Sequence, residues 1–420
     1  MASTGITTKP AYKEITACRV CGGTHLFEFW NGGDFHIVEF PVLYTKPKKP
    51  VAPLCLVFCE SCLLVQLKHT TDPAYLFEEF HYRSRTNESM REALYEVSQS
   101  VQEQVDFKEG DKVLDIGCND GTLLLSYPIG VKGIGIDPAK NLQAIGEQPG
   151  GWYFINDYFP SKEVERYAPY KAITALAMFY DLDDPVAFCK EVKKYLGMHG
   201  VFVVQMNYLP LMLKNCAIDN CVHEHLTYFS LRTLQEVFHR AGLTIYKAET
   251  NNVNAGSIRV YARHQGLVKS PEHSVGTLLR EEDKMGLQSH GTYVDFANRV
   301  EYVRDRLNTC LDMFKTANKR VFAYGASTRG TTLLQLLDTR GKLVACAERD
   351  VNKIGHYMVG SDLPIVNEDV FRREADYGLL LPYHFLTGIL QREKSWLQKG
   401  GQFIVPLPRP RLVSVLDDVT

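Results

Sequence analysis

The sequence predicts an α/β protein: a doubly wound, Rossmann-like parallel sheet set between a small N-terminal zinc-binding domain and a second α/β domain at the C-terminus. Three observations carry this. "KVLDIGCNDGTLLLSY" (112–127) reads as a buried strand, a glycine turn and a helix start, and "GIGIDP" (133–138) as the next strand. The same order returns in "RVFAYGASTRGTTLL" (320–334). Ahead of both lie two Cys-x-x-Cys pairs in a loop-rich segment without helical periodicity.

A chain of 420 residues is too long for one ordinary core, and three segments separate by pattern. Residues 1–70 hold Cys18, Cys21, Cys59 and Cys62, whose paired spacing suits one tetrahedral zinc ion gripped from two turns. Four thiolates close the shell, so the expected metal is structural and substitutes for a core so small a segment cannot build. Residues 71–265 open with a helix over 87–105 and continue through "AITALAMFYDLDDP" and "VFVVQMNY", each a strand running into a loop, to "GSIRVYARH" (256–264), expected to close the sheet. Residues 266–420 begin with a long helix in which Tyr293, Phe296, Val300, Val303, Leu307, Leu311 and Phe314 form one apolar stripe of core. The strands "LVACAERD", "YGLLLPYH" and "GQFIVPLP" then complete a second α/β domain.

Composition narrows the partners. A net charge of −2, and a head segment with seven Lys/Arg against five Asp/Glu, argue against a nucleic-acid surface. The longest apolar runs, such as "AITALAMFY", fall far short of the roughly 20 residues of a membrane span. The N-terminus lacks the plan of a signal peptide, so a cytoplasmic protein is expected, and a monomer. Eleven cysteines there are thiols or metal ligands rather than disulfides.

The first glycine turn is DxGxxxG, with Asp115, Gly117 and Gly121, and Asp137 ends the following strand. A carboxylate there can accept both hydroxyls of a ribose, while the turn lacks the GxGxxG spacing that seats a pyrophosphate. Asp115 would repel phosphate and welcome a cation, which points to S-adenosylmethionine. The expected cofactor contacts are Asp115, Gly117, Gly121, Asp137, Asn156 and Asp157. "YGASTRGTTLL" has glycines at Walker spacing, but Thr331 stands where the phosphate-binding lysine belongs, so a nucleotide held without hydrolysis fits better, using the helix start and Arg329.

"NCVHEHLTYFS" (220–230) crowds His223, Glu224 and His225 together. A zincin would need HExxH; here an extended chain would put both histidines on one face, and a helix would splay them.

Taken with "LDIGCNDGTLL", "VNAGSIRVY", "ERDVNKIG" and the paired cysteines, this cluster resembles the nucleotide-sugar C-methyltransferases over nearly the whole chain. The resemblance implies a zinc-binding N-terminal domain, a middle methyltransferase domain binding S-adenosylmethionine, and a C-terminal domain gripping the nucleotide of a nucleoside-diphosphate 4-keto-deoxysugar. A carbon beside a ketone becomes a nucleophile only as an enolate, which calls for a base and an oxygen-stabilising donor. The matching base is His225, with Glu224 orienting it, Tyr82 donating to the enolate oxygen, His223 supporting, and Tyr180 in the loop after the fourth strand. Substrate contacts are expected from Asn207, Asn254, Gly325, Ser327, Thr328, Arg329, Arg349 and Lys353. Two positions depart from the family pattern: Val222 replaces a frequent tyrosine, and Tyr180–Asp181 stands where histidine is common. Competing readings are O- or N-methylation of another small metabolite and a zinc-dependent nucleic-acid binding module.

Overall fold

A computed structural model describes residues 11–77, 83–86, 88–145 and 152–414, with the side chains of 143–145 excepted. Tyr82 lies outside the described residues.

The central sheet has seven strands in the order Leu243–Asn251, Ser257–His264, Leu196–Asn207, Tyr170–Leu176, Lys112–Ile116, Lys132–Ile136, Trp152–Ile155. Neighbours from Leu196–Asn207 to Trp152–Ile155 pair in parallel, so the ends of these strands share one edge of the sheet, where ligands bind in open α/β folds. "GSIRVYARH" joins this sheet, but not as its edge. It inserts antiparallel between Leu196–Asn207 and the unforeseen strand Leu243–Asn251. Six of its eight residues are buried, as a two-sided position requires, whereas the edge strand alternates and lies partly exposed.

The helix expected after the first glycine turn is a single 3-10 turn, Leu124–Ser126. Pro128 restricts the residue before it to extended backbone, and Tyr127 caps the turn with ψ 158°. Helix Glu88–Gln102 packs its Val97 and Val101 over the strands as its apolar pattern requires. Helix His273–Met285 packs against the central sheet, buries Val275 in that core, and sends the Glu282 carboxylate to the Tyr208 hydroxyl at 2.6 Å.

The head is a four-stranded antiparallel sheet ordered Leu26–His36, Val51–Cys59, Val65–Leu67, Thr227–Tyr228. Its last strand comes from the middle of the chain and starts two residues after His225. The C-terminal sheet has seven strands ordered Tyr357–Met358, Leu363–Asn367, Cys346–Glu348, Val321–Tyr324, Tyr377–Leu380, Gln402–Val405, Arg411–Val413, parallel except for the outer two. Helix His290–Thr316 buries its predicted stripe from Tyr293 to Leu311 in one core that joins the head strands to this sheet.

Candidate active site

The four head cysteines converge. Their sulfurs lie within 4.8 Å of one another, with Cys18 Sγ 3.5 Å from Cys62 Sγ and Cys21 Sγ 3.5 Å from Cys59 Sγ. A tetrahedral zinc–thiolate site with bonds of about 2.3 Å has sulfur–sulfur edges near 3.8 Å, so the donor set fits zinc. The Gly23 N–H donates to Cys21 Sγ at 3.3 Å. Between the first pair, Arg19 reaches Asp183 at 3.1 Å, which ties this head to the loop after strand Tyr170–Leu176.

Gly117 and Gly121 both adopt φ of +71°, which L side chains resist. A Cβ on Gly117 would press on Met178, and one on Gly121 would land on the Trp152 ring. Asp137 accepts the N–H groups of Asn119 and Ala139 at 3.0 Å each, which holds its carboxylate at the edge where a ribose would lie. Asn156 supports this loop by donating to the Asp137 carbonyl at 2.9 Å, and Asp157 accepts from Tyr158 N–H at 2.8 Å. Asp115 is buried, accepts from the Thr174 hydroxyl at 2.6 Å, and is pushed up to about 7 by desolvation. An acid in that state ionises readily when a cation arrives.

The histidines sit neither in a strand nor in a helix. The His225 N–H donates to the Val222 carbonyl at 3.1 Å, closing a tight turn with His223 and Glu224 at its corners. The turn separates their roles. His223 is buried and its Nε2 donates to the Ala52 carbonyl of the head at 2.9 Å, which anchors the turn to that sheet. Burial lowers it to about 4. His225 stacks obliquely on Tyr180, ring centres 4.0 Å apart, and its Nδ1 lies 2.8 Å from the Asn220 carbonyl. A carbonyl only accepts, so Nδ1 carries the proton and Nε2 the lone pair. Desolvation holds the ring down to about 3, so it is neutral at physiological pH. Glu224 does not hydrogen-bond His225; its Oε2 and Asp181 Oδ1 are buried without partners, and burial raises both acids. Glu224 as an orienting partner is thus replaced by a backbone carbonyl.

These features accompany clear kinship. A methyltransferase-domain model matches residues 82–248 and a C-methyltransferase C-terminal-domain model residues 252–408. C-methyltransferase NovU of Streptomyces niveus is 31% identical over 96% of this chain and 98% of its own. This chain belongs to the C-methyltransferase family. It is an S-adenosylmethionine-dependent C-methyltransferase. The CcbJ methyltransferase of Streptomyces caelestis (13% identity, 41% of this chain, 90% of that one, TM-score 0.33) and a methyltransferase from Clostridium acetobutylicum (13%, 43%, 94%, 0.33) overlap it only in part.

In this C-methyltransferase the C-terminal turn behaves differently from expectation. Arg329, expected at the nucleotide, donates from Nε and Nη2 to Asp219 Oδ2 at 2.8 and 2.6 Å, and from Nη1 to the Asn254 carbonyl at 2.8 Å. Without that guanidinium the buried Asp219 carboxylate would be left without a cation. Ser327 caps its own helix by accepting from Gly330 N–H at 3.0 Å, and Thr328 opens that helix. Gly325 has φ +90° and abuts Pro382. Lys353 donates to the Ala326 carbonyl at 2.7 Å and lies over the Phe40 ring, while Arg349 is exposed. Asn207 donates to Asn220 Oδ1 at 2.7 Å and keeps a buried Oδ1 unpartnered. Sequence reasoning missed Asp219 and Tyr383; an acid inside the apolar run "NCAIDNCV" was the available signal.

Proposed function

We propose that this enzyme methylates a carbon beside the ketone of a nucleoside-diphosphate 4-keto-deoxysugar, with His225 as the base. The observation that carries the reading is the Asn220 carbonyl locking the His225 tautomer, because a base must present a lone pair at a defined atom. Nε2 takes the proton from the carbon, the C–H electron pair passes into the enolate, and the enolate carbon then attacks. Bound S-adenosylmethionine supplies the electrophilic methyl group, leaving S-adenosylhomocysteine. Burial raises the Asp181 and Glu224 carboxyls, and a carboxyl that holds its proton there would donate a hydrogen bond to the enolate oxygen. Four thiolates would close a zinc shell and leave no open position for substrate, so the metal role we propose is structural.

The sugar reading is supported by the motif set and by the second sheet, where Arg349 and Lys353 offer cationic donors beside the Gly325 turn. Incubating the protein with S-adenosylmethionine and a panel of nucleoside-diphosphate 4-keto-sugars, and weighing the products, tests it. A gain of one methyl on carbon 3 or 5 of one member is expected; no gain with any member, alongside methylation of an oxygen or nitrogen nucleophile, sinks it. In heavy water with S-adenosylhomocysteine bound, the proton beside the ketone should exchange for deuterium. His225→Asn should lose exchange and turnover together, by roughly a hundred-fold or more.

A further inference from the structure

We infer that Arg329 of the C-terminal domain is a positioning residue for His225, acting through Asp219 and Asn220. The inference rests on His225 being the base and adds the device that sets its tautomer. Arg329 is the second residue of helix Thr328–Gln335, and Ser327 caps that helix, so the guanidinium leaves from a rigid start. It fastens three segments at once. Asp219 Oδ2 receives Nε and Nη2 at 2.8 and 2.6 Å. The Asn254 carbonyl, in the hairpin between two strands of the central sheet, receives Nη1 at 2.8 Å. The Tyr383 hydroxyl lies 3.1 Å from Nη2 and donates to Asp219 Oδ1 at 3.0 Å, so both oxygens of the carboxylate are held from the C-terminal domain.

The next residue carries the consequence. Asn220 is almost wholly buried; its side chain is pinned by Asn207 at the end of strand Leu196–Asn207, and its carbonyl faces His225 Nδ1 at 2.8 Å. Rotating the peptide after Asn220 would break that bond, and the His225 proton would then be free to move to Nε2, the atom that must hold a lone pair. Arg329 and Asn207 grip this dipeptide from two different domains. The active site is therefore complete only when the C-terminal domain is docked. A planar guanidinium is needed, because lysine cannot reach three acceptors in a fork.

Full-length protein labelled with 15N-histidine tests this without any substrate. In the wild type, His225, identified by its loss in His225→Gln, should show the Nδ1–H tautomer. In Asp219→Asn and Arg329→Lys the signal should move toward a mixture with Nε2–H. With the keto-sugar nucleotide that the panel identifies, kcat should fall ten-fold or more while KM for both ligands stays within about three-fold. Tyr383→Phe, which removes one hydroxyl and leaves the ion pair, keeps the test alive if the others fail to fold; it should give a smaller shift in the same direction. An unchanged tautomer in folded variants overturns the proposal, as does a loss confined to KM. A changed tautomer with full turnover upholds the positioning role and removes His225 as the base instead.

Discussion

Asp115 and Asp137 make the residue-scale case that burial tunes this site for a cation. Asp115 is raised by desolvation from 3.8 to about 7, so between about pH 4 and 7 the unfolded chain binds fewer protons than the folded one. Stability from this group therefore falls as pH rises through that window, by up to about 4 kcal/mol at full ionisation. A bound sulfonium or ammonium favours the carboxylate, so cofactor binding should release protons near pH 6.5. Titration calorimetry in buffers of different ionisation enthalpy checks this, and Asp115→Asn should abolish the release. Asp137, whose oxygens already accept two backbone N–H groups, should cost on the order of 2 to 3 kcal/mol of cofactor affinity when replaced by alanine. Unchanged affinity in that variant removes it from the ribose site.

At the scale of elements, the glycine turns and the His-Glu-His turn set which side chains the proposed site presents. Gly121 pairs a positive φ with a missing Cβ that Trp152 would otherwise meet, so turn and packing both demand glycine. Gly121→Ala should destabilise the central sheet by about 2 to 4 kcal/mol, the sum of left-handed strain and overpacking, seen as an earlier urea midpoint. The 222–225 turn is held from below by His223 on Ala52 and from its far end by Thr227, whose hydroxyl donates to the Tyr180 carbonyl at 3.1 Å. His223→Ala should thus lower kcat and thermal stability together, because it frees the turn from the head, whereas His225→Asn should lower kcat with little change in melting temperature.

At the scale of the molecule, three units meet around one loop rather than standing in a row. The head sheet borrows Thr227–Tyr228, Arg19 between two cysteines grips Asp183, and the C-terminal helix grips Asp219. Breaking the four-cysteine cluster should therefore disturb catalysis at a distance. Cys18→Ser and Cys59→Ser should lose metal, measured by atomic emission, together with activity, while Cys189→Ser, buried under the central sheet away from the other thiols, should keep full metal. Because one core joins the head strands, helix His290–Thr316 and the C-terminal sheet, truncation after Lys319 would expose that core. Point variants such as Lys353→Ala are the better probe of nucleotide binding; a folded Lys353→Ala that binds the sugar nucleotide as well as wild type would remove it from the site. Among the described residues no helix is long and apolar enough to cross a membrane.

What the sequence determined by itself is whatever depends on local periodicity and spacing. The paired cysteines, the strand–glycine–strand order ending in Asp137, and the stripe of helix His290–Thr316 are such patterns, and each is realised as read. Tertiary structure alone decided the partners of the polar groups. Three adjacent residues, His223 to His225, take up the head carbonyl of Ala52, a buried unpartnered carboxyl oxygen and the Tyr180 face, because a turn and not a strand carries them. Arg329 looked free for phosphate beside its glycines, yet its donors are taken by Asp219 and Asn254, more than seventy positions earlier in the chain. A buried charge is placed by what it must neutralise, and contacts across such separations leave no period in a sequence to read.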